Sequence, residues 1–430
     1  MTARAIIQRR GACPGLSAPM PTGDGLLARL RPIGTIPLAA FAKLAAAART
    51  HGNGVIEVTA RGSIQIRGLT PASAPRFAAA VATLRIAADD GVAVVTDPLA
   101  GLAAEEIFDI GALATDLRRS IAEASLAERM APKVSVAVDG GGALNLDALA
   151  ADVRLCADTS GGRVWLRVSV GGDGASATEL GTVEPAQGVA ATMRALEVIA
   201  RSGAETRARD VLAKAGAAPF RDALSDLLSL PAGPRLRRNG PTADAIGMHR
   251  LRDRSLACGV GLAFGHAGAQ ALEGLVEAAA KGGAGSVRPA PGRTLLIISL
   301  TPENAPLFAA AAGQLGFVVG ADDPRRHVIA CAGAPVCASA YIATRDMAPL
   351  IVATAAPFIS SRLTIHLSGC AKGCAHPGAG ALTAFGTAAG CALVANGCAG
   401  DRADRIVPPR ELADALADAA RLLAGEPGHV

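Results

Sequence analysis

Two stretches of this chain, LTPASAPRFAAA at 69–80 and LTPENAPLFAAA at 300–311, are identical at nine of twelve positions. Alanine runs can match through composition alone, but L-T-P-x-x-A-P-x-F cannot. The correspondence runs backwards without a gap, from GNGVIEVTARGSIQIRG (52–68) onto GAGSVRPAPGRTLLIIS (283–299). A duplication with its copies 231 residues apart constrains the fold more than any other feature. The chain must build two equivalent units, related by an approximate twofold axis.

Each copy reads strand, helix, strand, strand, helix. In the first copy GLLARLRPIG opens as a strand, and PLAAFAKLAAAARTHG is an Ala-rich helix stopped at Gly52. GVIEVTA and SIQIRGL follow as strands and APRFAAAVATLR as the second helix. This is a ferredoxin-like α+β half-domain. The expected order is an N-terminal arm and first half-domain at 1–85, an α/β domain and linker at 86–240, a second half-domain at 241–311 and another α/β domain at 312–430. The Pro- and Arg-rich segment PAGPRLRRNGPTAD (231–244) reads as the connection between halves.

Composition removes several function classes. Aromatic residues are 3% of the chain, too few for a base-stacking surface, and the net charge of +5 comes without any Lys or Arg run. Nucleic acid is therefore not an expected partner. No apolar run reaches the ~18 residues of a membrane span, and APLIVATAAPFIS is cut by prolines. MTARAIIQRRGACPG has no apolar core of a signal peptide. A cytoplasmic monomer is the expectation, and in that reducing setting nine cysteines point to metal or catalysis rather than disulfides.

Four of the cysteines form a pattern. Cys331 and Cys337 are C-x5-C, and after a gap of 32 residues Cys370 and Cys374 are C-x3-C. Four thiolates from two loops suit a [4Fe–4S] cluster, in which each iron takes one protein sulfur. Gly333, Gly369 and Gly373 let the backbone turn tightly around it. Structural zinc prefers shorter C-x2–4-C pairs. Cys156, Cys258, Cys391 and Cys398 lie among apolar neighbours and read as packing residues; Cys13 sits in the N-terminal arm. SVGGDGASA (169–177) carries G-x-G-x-x-A, but no acidic residue follows at the required distance, so a dinucleotide site is weakly supported.

The duplicated half-domain together with C-x5-C…C-x3-C resembles the sulfite and nitrite reductase superfamily over nearly the whole chain. EVTARGSIQIRG (57–68) is similar to that superfamily's T-x-R-x-x-x-Q strand, which faces a tetrapyrrole and its anionic groups. The resemblance points to Thr59, Arg61 and Gln65, and it makes the 169–177 segment a glycine hairpin against the tetrapyrrole. APKVSVAV (131–138) resembles the strand carrying paired lysines, with Lys133 matching the first and Ser135 standing at the second. ACPGLSAPMPTGDGLLARLRP (12–32), DPLAG (97–101) and IHLSGCAKGCAHPG (365–378) are most similar to the oxygen-inserting branch that serves aerobic cobalamin synthesis.

That resemblance implies hydroxylation of precorrin-3A with O2, closure of a γ-lactone, NADH-derived electrons from a separate reductase, a [4Fe–4S] cluster and a mononuclear non-haem iron. Arginines match the carboxylates of such a substrate as planar forks. Candidates are Arg29, Arg31 and Arg61, with Gln65 beside them, and also Arg10, Arg67 and Arg362. Lys133 and His376 are the expected catalytic residues. Lys372 would offset the negative charge of cluster and thiolates, and His366 joins His376 as an iron-ligand candidate. Two other readings stay open: a siroheme-dependent sulfite or nitrite reductase, and a plain iron–sulfur electron carrier.

Overall fold

A computed structural model describes residues 14–229, 244–360, 363–376 and 378–425. Arg10, Cys13, Arg362 and nearly all of the 231–244 connection lie outside the described residues. Four five-stranded sheets carry the architecture, which is mixed α/β. Among the described residues no helix is long and apolar enough to cross a membrane.

The duplication sets the centre of the molecule. The first copy runs Gly25–Leu30, helix Leu38–His51, Val55–Val58, Ile64–Leu69 and helix Ser73–Thr83. The second runs Leu256–Gly261, helix Ala269–Lys281, Ser286–Ala290, Thr294–Leu300 and helix Ala305–Gln314. Each copy also lends an edge strand to the other. Ile36–Pro37 pairs with Ser286–Val287, and the equivalent segment His266–Gly268 pairs with Val55–Glu57. Reciprocal hydrogen bonds repeat the symmetry: Leu38 N–H donates to Gly285 O at 3.2 Å, and Ala269 N–H donates to Gly54 O at 2.8 Å.

Helices Leu38–His51 and Ala269–Lys281 pack together across the pseudo-axis, joined at the surface by Arg49 and Glu273 at 3.0 Å. Leu38, Phe41, Leu44, Ala45 and Ala48 form the buried stripe of the first helix at helical spacing, and the small alanines allow close approach. The two half-domains share one hydrophobic core, with Phe41, Phe77 and Phe308 inside it. Removing one such buried ring costs about 3–5 kcal/mol.

The two outer domains are also alike. In one, Ala93–Thr96, Ser135–Asp139 and Ala151–Ser160 run parallel, then Arg163–Gly172 and Thr178–Val183 return antiparallel. In the other, Val328–Ala330, Ile365–Ser368 and Gly380–Thr387 run parallel, and Gly390–Gly397 and Arg405–Val407 return antiparallel. The duplication therefore reaches beyond the copies visible in the sequence.

Candidate functional site

A cleft of about 900 Å³ lies where the half-domains meet both outer domains, at the upper end of the roughly 300–1,000 Å³ usual for ligand sites. Cys331, Cys337, Cys370 and Cys374 all line it. So do Arg29, Arg31, Arg61, Gln65 and Lys133, so the sequence candidates converge in space. Nine arginines and two lysines face this cleft against two carboxylates, Glu57 and Asp89. The wall is built for a polyanion.

Strand register explains one side. Arg29 stands opposite Gln65, and Gln65 opposite Glu57, across three neighbouring strands. With the Gln65 amide oriented to suit both neighbours, its nitrogen donates to Glu57 Oε2 at 2.8 Å and its oxygen accepts from Arg29 Nε at 3.0 Å. Ile64 and Ile66, on the alternate face, enter the core. Glu57 also accepts from Arg345 and sits 3.6 Å from Arg67 Nε. Arg67 in turn donates to Val336 O at 3.1 Å, inside the C-x5-C loop.

Arg61 tops a tight turn. Thr59 Oγ1 accepts from the backbone N–H groups of Arg61 (3.3 Å) and Ser63 (3.0 Å), and a Cβ on Gly62, at φ +79°, would stand 3.0 Å from the Ala290 carbonyl carbon. The Arg61 guanidinium donates to Ala150 O at 3.2 Å. Arg31 is anchored on Asp89 O (2.9 Å) and Gly91 O (2.7 Å). Lys133 is exposed at the rim, whereas Ser135 is buried away from the cleft. Beside them Arg207 grips Asp152 with two hydrogen bonds, 2.8 and 2.7 Å.

The cysteine loops are packed closely. Gly369 N–H donates to Cys331 Sγ at 3.1 Å, a Cβ on Gly369 would lie 2.6 Å from Ala340 Cβ, and Lys372 Nζ reaches Ser339 Oγ at 3.4 Å, tying one loop to the other. Burial, then the nearness of Cys331, Cys370 and Cys337, holds the Cys374 thiol above its ordinary range. Iron–sulfur clusters are held by thiolates, and a bound iron core would supply the positive charge that ionises Cys374. Among the described residues no three His, Cys, Asp or Glu side chains converge on one point. A cubane cluster asks for spread thiols, one per iron, so the four cysteines fit it. Among the described residues no ligand set for a mononuclear iron is assembled.

His376 is not among the cleft residues. Its ring meets His366 edge-on at 5.6 Å, and its Nε2 lies 3.4 Å from Ala379 O. His366 is 1% exposed with neither ring nitrogen hydrogen-bonded among the described residues. Burial, then His376 and Arg293, push it down to about 4, so it is neutral. The 169–177 segment is a β-hairpin turn closed by Asp173 and Ser176, with no helix after it and no residue in the cleft. That removes the dinucleotide reading, while the segment is a glycine hairpin as expected. Cys258 and Cys391 are buried packing residues as expected, burial pushing the Cys258 thiol up to about 12.

Sequence reasoning missed Arg118, Arg207, Arg288, Arg293 and Arg345, all of which line the cleft. Arg293 had a signal. It lies one residue past the repeat-equivalent of Arg61, in the matching turn, and donates to Ala375 O at 2.9 Å.

Residues 18–84 match the nitrite/sulfite reductase ferredoxin-like half-domain family. The chain is 40% identical to a precorrin-3B synthase from Sinorhizobium sp. over 96% of this chain and 89% of that protein. It is 26% identical to a ferredoxin–nitrite reductase from Synechococcus elongatus over 83% of this chain and 75% of that protein. The fold is similar to that of the Mycobacterium tuberculosis NirA protein, with a TM-score of 0.77 at 18% identity, covering 94% of this chain and 82% of that one.

Proposed function

The chain belongs to the precorrin-3B synthase family, within the sulfite and nitrite reductase superfamily, and on that premise we propose that it is a monooxygenase acting on precorrin-3A. One oxygen atom of O2 enters the macrocycle as a hydroxyl and the other leaves as water. Two electrons and two protons are supplied through a separate reductase from NADH, and a ring acetate closes the γ-lactone. The observation that carries this reading is the spread of Arg29, Arg31, Arg61, Arg118, Arg288 and Arg293 along the whole cleft, beside Arg67, Arg207 and Arg345, which are paired with Asp24, Asp152 and Glu57. They are spread as a polycarboxylate macrocycle requires, not gathered on a small anion.

Arg29, Arg31 and Arg61 bind substrate carboxylates. Gln65 and Glu57 fix the direction of Arg29, because a fork held by its neighbours loses less freedom on binding. Lys133, exposed at the rim, holds a proton beside the substrate. Cys331, Cys337, Cys370 and Cys374 would hold the [4Fe–4S] cluster, which when bound supplies single electrons. His376 packs edge-on against His366 and does not line the cleft, although its neighbour Ala375 does.

The siroheme-dependent reductase alternative needs a second free cation beside Lys133 to stabilise a small anion as its oxygens leave. Ser135 is buried there and Arg207 is committed to Asp152. Supplying the purified protein with precorrin-3A, a reductant and O2 tests the reading. Tetrapyrrole-dependent O2 uptake is expected. Brisk sulfite or nitrite turnover without a tetrapyrrole product would favour the alternative.

A further inference from the structure

Behind the cleft lies a second cavity of about 290 Å³. Its walls are the buried side chains of Leu144, Ile246, Leu262, Val318 and Val328. Ala148 and Asp244, both exposed, stand on its rim, so it opens to solvent. The rim arginines are already paired, Arg325 with Asp323 and Arg326 with Asp244. His327 is pushed below its ordinary range by burial and then by Arg326. Arg325 and Arg326 are matched by carboxylates and Arg293 is turned to Ala375 O, so the space between Leu144, Ile246, Leu262, Val318 and Val328 suits a small apolar molecule.

The two spaces adjoin. Pro98, Phe264, Gly265, Pro291 and Arg293 line both. Phe264 stands at this junction in the left-handed region, at φ 58° and ψ 16°, a conformation costly for a bulky side chain and most often kept at functional positions. Gly265 follows at φ +83°, and a Cβ there would lie 2.7 Å from Arg293 Cδ. The backbone is thus shaped to let Arg293 pass through to Ala375 O, beside Cys374. The junction lies next to the cysteine loop, with the Arg293 side chain across it.

We propose that this back cavity is the route by which O2 reaches the floor of the cleft while a tetrapyrrole occupies its mouth. The inference rests on the oxygen-inserting reading. A flat macrocycle bound along the cationic wall would cover the front approach, and O2 partitions into apolar space without needing a polar partner.

The test uses a reaction that needs no tetrapyrrole chemistry. One electron passes from the anaerobically reduced cluster to O2, giving superoxide, and rapid freeze-quench EPR follows loss of the reduced-cluster signal. Uroporphyrin, an unreactive polycarboxylate tetrapyrrole, fills the cleft. Wild-type protein should oxidise at nearly the same rate with and without it. Ile246→Trp and Leu262→Trp should slow oxidation about tenfold with uroporphyrin bound and leave the empty-cleft rate unchanged, as expected when one of two access paths is closed. Wild-type oxidation that falls about tenfold on adding uroporphyrin would overturn the route, as would Trp variants indistinguishable from wild type in its presence. Xenon-pressurised crystals of the wild-type protein give a readout independent of both folding defects and monooxygenase activity. Xenon should lie between Ile246, Leu262 and Val318. Xenon bound elsewhere, with none at that place, would contradict the proposal.

Discussion

Arg67 donates to the carbonyl of Val336 at 3.1 Å, tying the central strand of the first half-domain to the residue before Cys337. The same guanidinium lies 3.5 Å from Asp24 and 3.6 Å from Glu57, and Arg67 is buried. Hydrogen bonds to charged groups contribute about 1.5–3 kcal/mol each, so Arg67→Leu should lower unfolding stability by about that much in a denaturant titration. Iron should also be lost faster to a chelator. A variant with wild-type stability and iron retention would show that the strand does not brace the loop.

Arg61 should bind a substrate carboxylate. Losing one charge-assisted pair of about 1.5–3 kcal/mol weakens binding about ten- to a hundredfold, so Arg61→Ala should show that change in a uroporphyrin fluorescence titration, with iron content unchanged. Unaltered affinity would remove Arg61 from the binding wall.

Each of Cys331, Cys337, Cys370 and Cys374 should be required for the cluster. Their single Ala variants, purified without oxygen, should lose the visible absorption and the acid-labile sulfide. Cys391→Ala, at a buried strand position outside the cleft, should keep both. A complete cluster in Cys370→Ala would refute the ligand set.

Asp97 makes stability depend on pH. It is 1% exposed; burial, then Asp139, raises its carboxyl from an ordinary 3.8 to about 7. Between those values the folded protein holds a proton that the unfolded chain has released. Stability therefore falls as pH rises through that window and levels off above about 7, with a slope approaching about 1.4 kcal/mol per pH unit from this group. Asp97→Asn keeps Oδ1 as acceptor for Gly140 N–H, which donates at 3.1 Å. It should flatten the curve across the window and exceed wild type in stability above neutrality. Unfolding titrations at several pH values check this, and parallel curves for the two proteins would refute it.

The parts of this molecule legible from sequence were those written locally. Helix Leu38–His51 and strands Val55–Val58 and Ile64–Leu69 fall where periodicity and glycine placed them. That Cys331, Cys337, Cys370 and Cys374 line one cleft was legible because their two pairs carry short spacings in glycine-rich loops. The exchange of Ile36–Pro37 for His266–Gly268 was not, since pairing of such short segments depends on a partner more than two hundred residues away. The cleft arginines on the second half-domain and outer domains were hidden for a related reason. Arg207, Arg288 and Arg345 look like any other arginine until folding brings them to one wall. The 172–177 glycines were legible as a hairpin because G-x-G-x-x-A lacked the acidic residue a dinucleotide site needs, and no helix follows.

Isotope labelling tests the central claim most directly. Precorrin-3A, a reductant and the cluster-loaded protein are incubated under 18O2, and the tetrapyrrole product is examined by mass spectrometry. The account predicts one labelled oxygen, carried in the new hydroxyl. Label that enters only from H2(18)O, or none at all in a product formed at the normal rate, would contradict it.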